Sequence, residues 1–300
     1  MTRIPAVALL ALAFVPGLAA AAEDGVVAPG ATLEKRASGF AFTEGPTCDA
    51  RGDLYFTDQP NDRILRWSAD GKLSVFLKPA GRSNGMHFAA ASRLIACADE
   101  KNELWSITPE GKATTVTKGY LGQPFNGPND VWVHPSGGLY LTDPFYDRPW
   151  WSHHAPPQDG QHVYYLPPDG GPPVRVVSDL VQPNGIIGSP DGRTLFVSDI
   201  GAKKTWRYDI RPDGSLGGKT LVCERGSDGM TLDDEGHLYL TGDGVRVFDR
   251  QGREVDHIRV PEPWTANVAF CGADRRTLFI TASTGLYSIR TRTRGADPAK

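Results

Sequence analysis

One phrase recurs six times along the chain and restricts its fold more than any other feature. Each copy opens on a residue with a side-chain oxygen, passes a polar turn, and reaches a Leu ten or eleven positions later. The openings are Glu44, Asn84, Asn129, Asn184, Asp228 and Asn267; the leucines are Leu54, Leu94, Leu139, Leu195, Leu238 and Leu278. An aromatic follows five of the six leucines: Tyr55, Tyr140, Phe196, Tyr239 and Phe279. The steps between openings run from 39 to 55 residues, close to the roughly 40–50 residues of a four-stranded blade. Six copies predict an all-β, six-bladed β-propeller rather than two unrelated sandwiches. With 34 Gly, 24 Pro and only 3 Met, the composition suits many turns between short strands.

The first blade is predicted to place its strands near Gly45–Cys48, Leu54–Thr57, Ile64–Trp67 and Leu73–Leu77, with Asp70-Gly71 as a tight turn. The last repeat ends on Gly285–Arg290, which reads as a third strand. The segment Ala31–Phe40 is the candidate for its missing outer strand, an arrangement that would leave no free sheet edge at the junction.

The first strand of each blade lines the central channel, so the six openings converge on one axis. All six carry a side-chain oxygen, and Gly follows four of them, letting backbone approach the axis. Two carboxylates there would repel and raise one pKa. A divalent cation balances them, and neutral Asn oxygens complete its shell. Any one Asn could simply bond a neighbouring blade; all six together point to a metal. Hard oxygen donors make Ca²⁺ the first choice, with Zn²⁺ and Mn²⁺ as alternatives.

At these residues the chain resembles the senescence-marker-protein, gluconolactonase and luciferin-regenerating-enzyme family, from about Gly39 to Arg290. The phrases that carry the likeness are Phe42-Thr-Glu-Gly-Pro46, Ser83-Asn-Gly85, Pro128-Asn-Asp-Val131, Leu141-Thr-Asp-Pro144, Gln182-Pro-Asn-Gly185 and Ser227-Asp-Gly-Met230. The stretch Leu141–Tyr165 looks more like the bacterial gluconolactonase branch than the animal one. The resemblance implies one metal held by Glu44, Asn129, Asn184 and Asp228, with Asn84 and Asn267 lining the channel. Family members that hold substrate with an Arg just before the third-blade Asn find no counterpart in Phe125-Asn-Gly-Pro-Asn129.

The expected reaction is opening of a small sugar lactone by water. The metal would polarise the carbonyl and stabilise the oxyanion, while Asp228 acts as general base and Glu44 purely as ligand. An organophosphate or other ester hydrolase on the same centre, or a non-catalytic propeller stiffened by its metal, are the alternatives. No GxSxG, GxGxxG or Walker loop supports serine-hydrolase or nucleotide chemistry.

Further substrate contacts are expected from Asn84, from Asp130 beside Asn129, and from the 55-residue step. That step contains Phe145–His162, rich in aromatics and His. Such a loop is lid or binding composition rather than linker, and Trp150 and Trp151 suit ring stacking; packing on the propeller surface explains each of them equally well. Asp58, Asp99, Asp143 and Asp199, each ending a second strand, read as Asx-type turn residues.

Residues 1–22 read as a secretory leader: Arg3, an apolar run, then Ala19–Ala22. The mature chain is then a single propeller domain, 23–300, exported to the periplasm or beyond. In an oxidising compartment Cys48, Cys97, Cys223 and Cys271 could pair in three ways; buried free thiols are the alternative. A formal net charge of −3 gives no reason to expect nucleic acid or an anionic membrane as partner.

Overall fold

The computed structural model describes residues 25–296, and the predicted leader lies outside them. Six four-stranded antiparallel sheets follow one another along the chain. Their innermost strands are Thr43–Cys48, Ser83–Phe88, Val131–Val133, Pro183–Gly188, Met230–Leu232 and Thr265–Cys271. Blade 1 continues with Leu54–Asp58, Arg63–Trp67 and Leu73–Leu77, within a residue or two of the sequence expectation. The ends close the ring as predicted. Gly285–Arg290 is the third strand of blade 6, and Glu34–Ser38 pairs with it as the outermost, Glu34 opposite Ser288 and Ser38 opposite Gly285.

Each repeated Leu stands first or second in its blade's second strand. Leu54–Asp58, Leu94–Ala98 and Leu139–Asp143 are buried at every position, because a second strand has blades packed on both faces and so reads as a nearly continuous apolar run. Outer strands such as Leu73–Leu77 and Ala113–Thr117 face solvent along much of their length. The core is therefore a set of clusters between blades. One of the largest joins Trp132 and Tyr140 of blade 3 to Leu195 and Val197 of blade 4 and Leu238 and Leu240 of blade 5.

The register slips at the openings. It shifts between Glu44 and Thr47, Ser83 and Met86, and Pro183 and Ile186. Such irregularities bend a strand and re-aim a side chain. Glycine permits the turn: Gly45 has φ +47°, and a Cβ there would strike the Asn84 carbonyl. A Cβ on Gly185 would stand 2.6 Å from the Asp228 carbonyl oxygen. In blades 1, 3 and 5 a second-strand threonine then ties to the next blade's inner strand. Thr57 Oγ1 donates to Asn84 O (3.3 Å) and Thr142 Oγ1 to Asn184 O (2.7 Å).

The strand-ending aspartates are more than local turn formers. Asp58, Asp143 and Asp199 each accept two backbone N–H groups from the loop entering their own blade's inner strand: Ala41 and Phe42, Asn126 and Gly127, Val181 and Gln182. They fasten that loop just before the opening residue. A short ribbon, Gly119–Tyr120 with Gln123–Pro124, lies in the connection from blade 2 to blade 3 and had no clear sequence signal. All four cysteines are free thiols, three of them buried and Cys48 half-buried.

Candidate active site

A cavity of about 330 Å³ opens at one end of the channel. Five of the six openings line it: Glu44, Asn84, Asn129, Asn184 and Asp228. The sixth, Asn267, is fully engaged elsewhere. Its Nδ2 donates to Glu44 Oε2 (3.2 Å) and its Oδ1 accepts from Val268 N (2.8 Å).

The five are unevenly satisfied, and the pattern is informative. Glu44 is 2% exposed; Oε2 takes both of its hydrogen bonds, from Gly45 N and Asn267, and Oε1 accepts none. Asn184 Nδ2 donates to Asp228 Oδ1 (2.9 Å) and to the Tyr146 hydroxyl (2.8 Å). Those bonds orient the amide and leave Asn184 Oδ1 buried without a donor; Asn84 Oδ1 is buried without one as well. A buried acceptor with no partner is costly. A cation at Asn184 would satisfy that oxygen and compensate Glu44 and Asp228, and a water or substrate donor would satisfy Asn84. Among the described residues no three His, Cys, Asp or Glu gather as a metal site; the donor set here is two carboxylates plus amide oxygens, which suits a hard cation.

Electrostatics agree. Burial, and then the Asp228 charge, raise the proton affinity of Glu44 well above the ordinary carboxylate range. Asp228 is partly exposed at the cavity, yet burial of its carboxylate also pushes its pKa up, to about 6. The indole of Trp264 resists that shift, donating to Asp228 Oδ2 at 2.6 Å, as do the Asn184 amide and the Arg148 charge.

Of the expected substrate contacts, Asn84 lines the cavity and three do not. Asp130 accepts from Val131 N (2.9 Å) and Ile186 N (3.4 Å), and faces a second cavity of about 100 Å³ toward the other end of the channel. Trp151 is buried: its Nε1 donates to Asp99 O (2.7 Å), and His153 stacks on it at 4.9 Å. Trp150 lies under the guanidinium groups of Arg82 (4.7 Å) and Arg148 (5.7 Å). Burial and cation stacking claim both indoles. The insertion reaches the cavity through Tyr146 and Arg148 instead. Phe42, Gln59, Gln182, Ile200 and Trp264 complete the lining, and none of these seven was singled out from sequence. A usable signal existed for two: Phe42 and Gln182 stand two positions before an opening, inside the loop that an aspartate fastens.

The SMP-30/Gluconolactonase/LRE-like region matches residues 42–284. The gluconolactonase of Zymomonas mobilis is 28% identical over 307 residues, covering 91% of this chain and 85% of that protein. A solved gluconolactonase from Xanthomonas campestris superposes with a TM-score of 0.84 at 30% identity, covering 90% of this chain and 93% of the other. A luciferin-regenerating enzyme shares the fold, with a TM-score of 0.75 at 20% identity, over 90% of this chain and 99% of that one.

Proposed function

The chain belongs to the SMP-30/gluconolactonase/LRE-like family, and from that premise we propose that it is a cation-dependent lactonase opening a small sugar lactone. The observation that carries the reading is the unpartnered buried oxygen Asn184 Oδ1 beside two carboxylates with raised proton affinity, in a cavity where Asn84 Oδ1 stays free for a water or substrate donor.

Glu44, Asn129, Asn184 and Asp228 would hold one divalent cation, Ca²⁺ ahead of Zn²⁺ or Mn²⁺. Bound there, it supplies Lewis-acid polarisation of the carbonyl and charge to stabilise the developing oxyanion. The chain's own groups do the rest. Asp228 takes a proton from the attacking water, its carboxylate standing at the cavity. Trp264 Nε1 and Asn184 Nδ2 fix its two oxygens, and Tyr146 fixes Asn184 in turn. Glu44 stays a ligand. The ring C–O bond then breaks as the proton held by Asp228 passes to the departing ring oxygen, and the product leaves as a hydroxy acid with Asp228 ionised again.

Acid release from a panel of aldono-lactones tests the reading. Turnover that Asp228→Asn removes from a folded protein supports it; no turnover of any aldono-lactone by the wild type rejects it.

A further inference from the structure

Blade 2 departs from the fastening that blades 1, 3 and 4 share. There the entering loop is held by Asp62 of blade 1, whose Oδ1 accepts from Ala80 N (2.9 Å) and Arg82 N (2.8 Å). The repeat's own strand-ending Asp99 is released from that task. It is 2% exposed, and it accepts instead from Gln59 Nε2 (3.0 Å) and Arg148 Nε (3.1 Å). Both of those side chains line the candidate cavity. Asp99 thus joins two cavity walls drawn from blade 1 and from the blade-3 insertion.

Resting on the lactonase reading, we propose that Gln59 and Arg148, held in place by Asp99, form a subsite that reads a hydroxyl group of a neutral polyhydroxylated lactone. Among the described residues Arg148 is the one cation lining the cavity, and its terminal nitrogens donate to no acceptor there. Gln59 Oε1 accepts nothing from the protein. A free donor beside a free acceptor matches a hydroxyl, which both accepts and donates. A carboxylate or phosphate on the substrate would leave the Gln59 oxygen opposed by another acceptor. Charge points the same way: Asp99 sits against Arg148, and the Glu44 and Asp228 carboxylates line the same cavity, which disfavours a further anion. Asp99 is a positioning residue. It touches no substrate and acts by holding the two that do. Its backbone carbonyl separately receives Trp151 Nε1 (2.7 Å), so the insertion stays docked when only the carboxylate is altered.

The test compares D-glucono-δ-lactone with δ-valerolactone, the same ring without hydroxyls, in wild type, Arg148→Met, Gln59→Leu and Asp99→Asn. Melting curves run alongside. The ratio of kcat/KM for the hydroxylated over the bare lactone should fall about tenfold to a hundredfold in Arg148→Met, mainly through KM. Asp99→Asn should move the ratio in the same direction, which a purely structural loss would not do because it lowers both substrates alike. Should Asp99→Asn fail to fold, Arg148→Met and Gln59→Leu still decide. An unmoved ratio in those two, with both lactones turned over, overturns the subsite alone. A wild type that turns over neither lactone rejects the lactonase reading and the subsite with it. Faster wild-type turnover of a carboxylate-bearing lactone than of the neutral one overturns the charge assignment.

Discussion

The two ends of the channel are built from the same six strands, yet one is chemically closed and the other open. Toward the closed end, polar side chains are matched to backbone donors. Asp130 takes two N–H groups, Asn267 bonds a carboxylate and a backbone amide, and Asp49 and Asp233 cap the neighbouring turns. At the open end Glu44 Oε1, Asn84 Oδ1 and Asn184 Oδ1 have no donor. Raised proton affinity does not separate the ends, because burial lifts Asp130 to about 7 as surely as it lifts Asp228. The unpartnered acceptors do: both oxygens of Asp228 are bonded, as both of Asp130 are, but among the described residues only the open end keeps Glu44 Oε1 and two amide oxygens without a donor, capacity left for something else.

The sharpest way to break that distinction is a pair of isosteric changes. Asp228→Asn should lower lactone kcat/KM by about 10²–10⁴-fold while the protein stays folded, since it removes the base and half the charge at the site. Asp130→Asn keeps an acceptor for a backbone N–H and should leave kcat/KM within about threefold, its effect falling on stability instead. Initial rates with circular dichroism read both. Equal losses would erase the difference between the ends.

The insertion offers the next contrast. Trp151→Ala should cost about 3 kcal/mol in denaturant unfolding, as a buried aromatic with its indole N–H bonded. Trp150→Ala, at a half-buried ring, should cost less. The opposite ranking would put Trp151 in a binding role and Trp150 in the core.

Much of this was readable from sequence, and what was missed has a common cause. The repeat revealed blade number, ring closure and the channel openings, because burial on both faces forces Leu into every second strand, with an aromatic after it in five of six, and the axis forces an oxygen-bearing residue at every opening. The lining of the open end comes from loops, where no periodicity constrains a side chain. Trp264 on Asp228, Tyr146 on Asn184 and Asp99 on Arg148 are all contacts between blades or across an insertion. Composition marked Phe145–His162 as unusual but could not say which aromatics turn inward: Trp151 anchors the loop, and Tyr146 and Arg148 reach the cavity.

Smaller effects sharpen the open end itself. Tyr146→Phe removes a partner that orients Asn184, and cation affinity should drop about tenfold by calorimetry. Unchanged affinity would mean that Asp228 alone orients the amide. With cation removed, Glu44 and Asp228 have folded pKa values above their unfolded ones. The native state then holds protons that the unfolded chain releases. Stability of the stripped protein should decline as pH rises from about 4 through 6, while cation affinity climbs over the same range because protons compete for the same oxygens. Urea titrations across that range measure the first trend; flat midpoints would place the two carboxylates in contact with compensating charge already.

The proposed chemistry of the open end depends on its taking one divalent cation. Titrating Ca²⁺ into exhaustively stripped wild type, with elemental analysis before and after, melting curves and gluconolactone turnover on the same samples, tests that directly. One cation per chain, a higher melting temperature by mass action and turnover that returns only with the cation are the predicted results. A metal-free protein that hydrolyses the lactone at the full rate, with a melting curve indifferent to Ca²⁺, would contradict it.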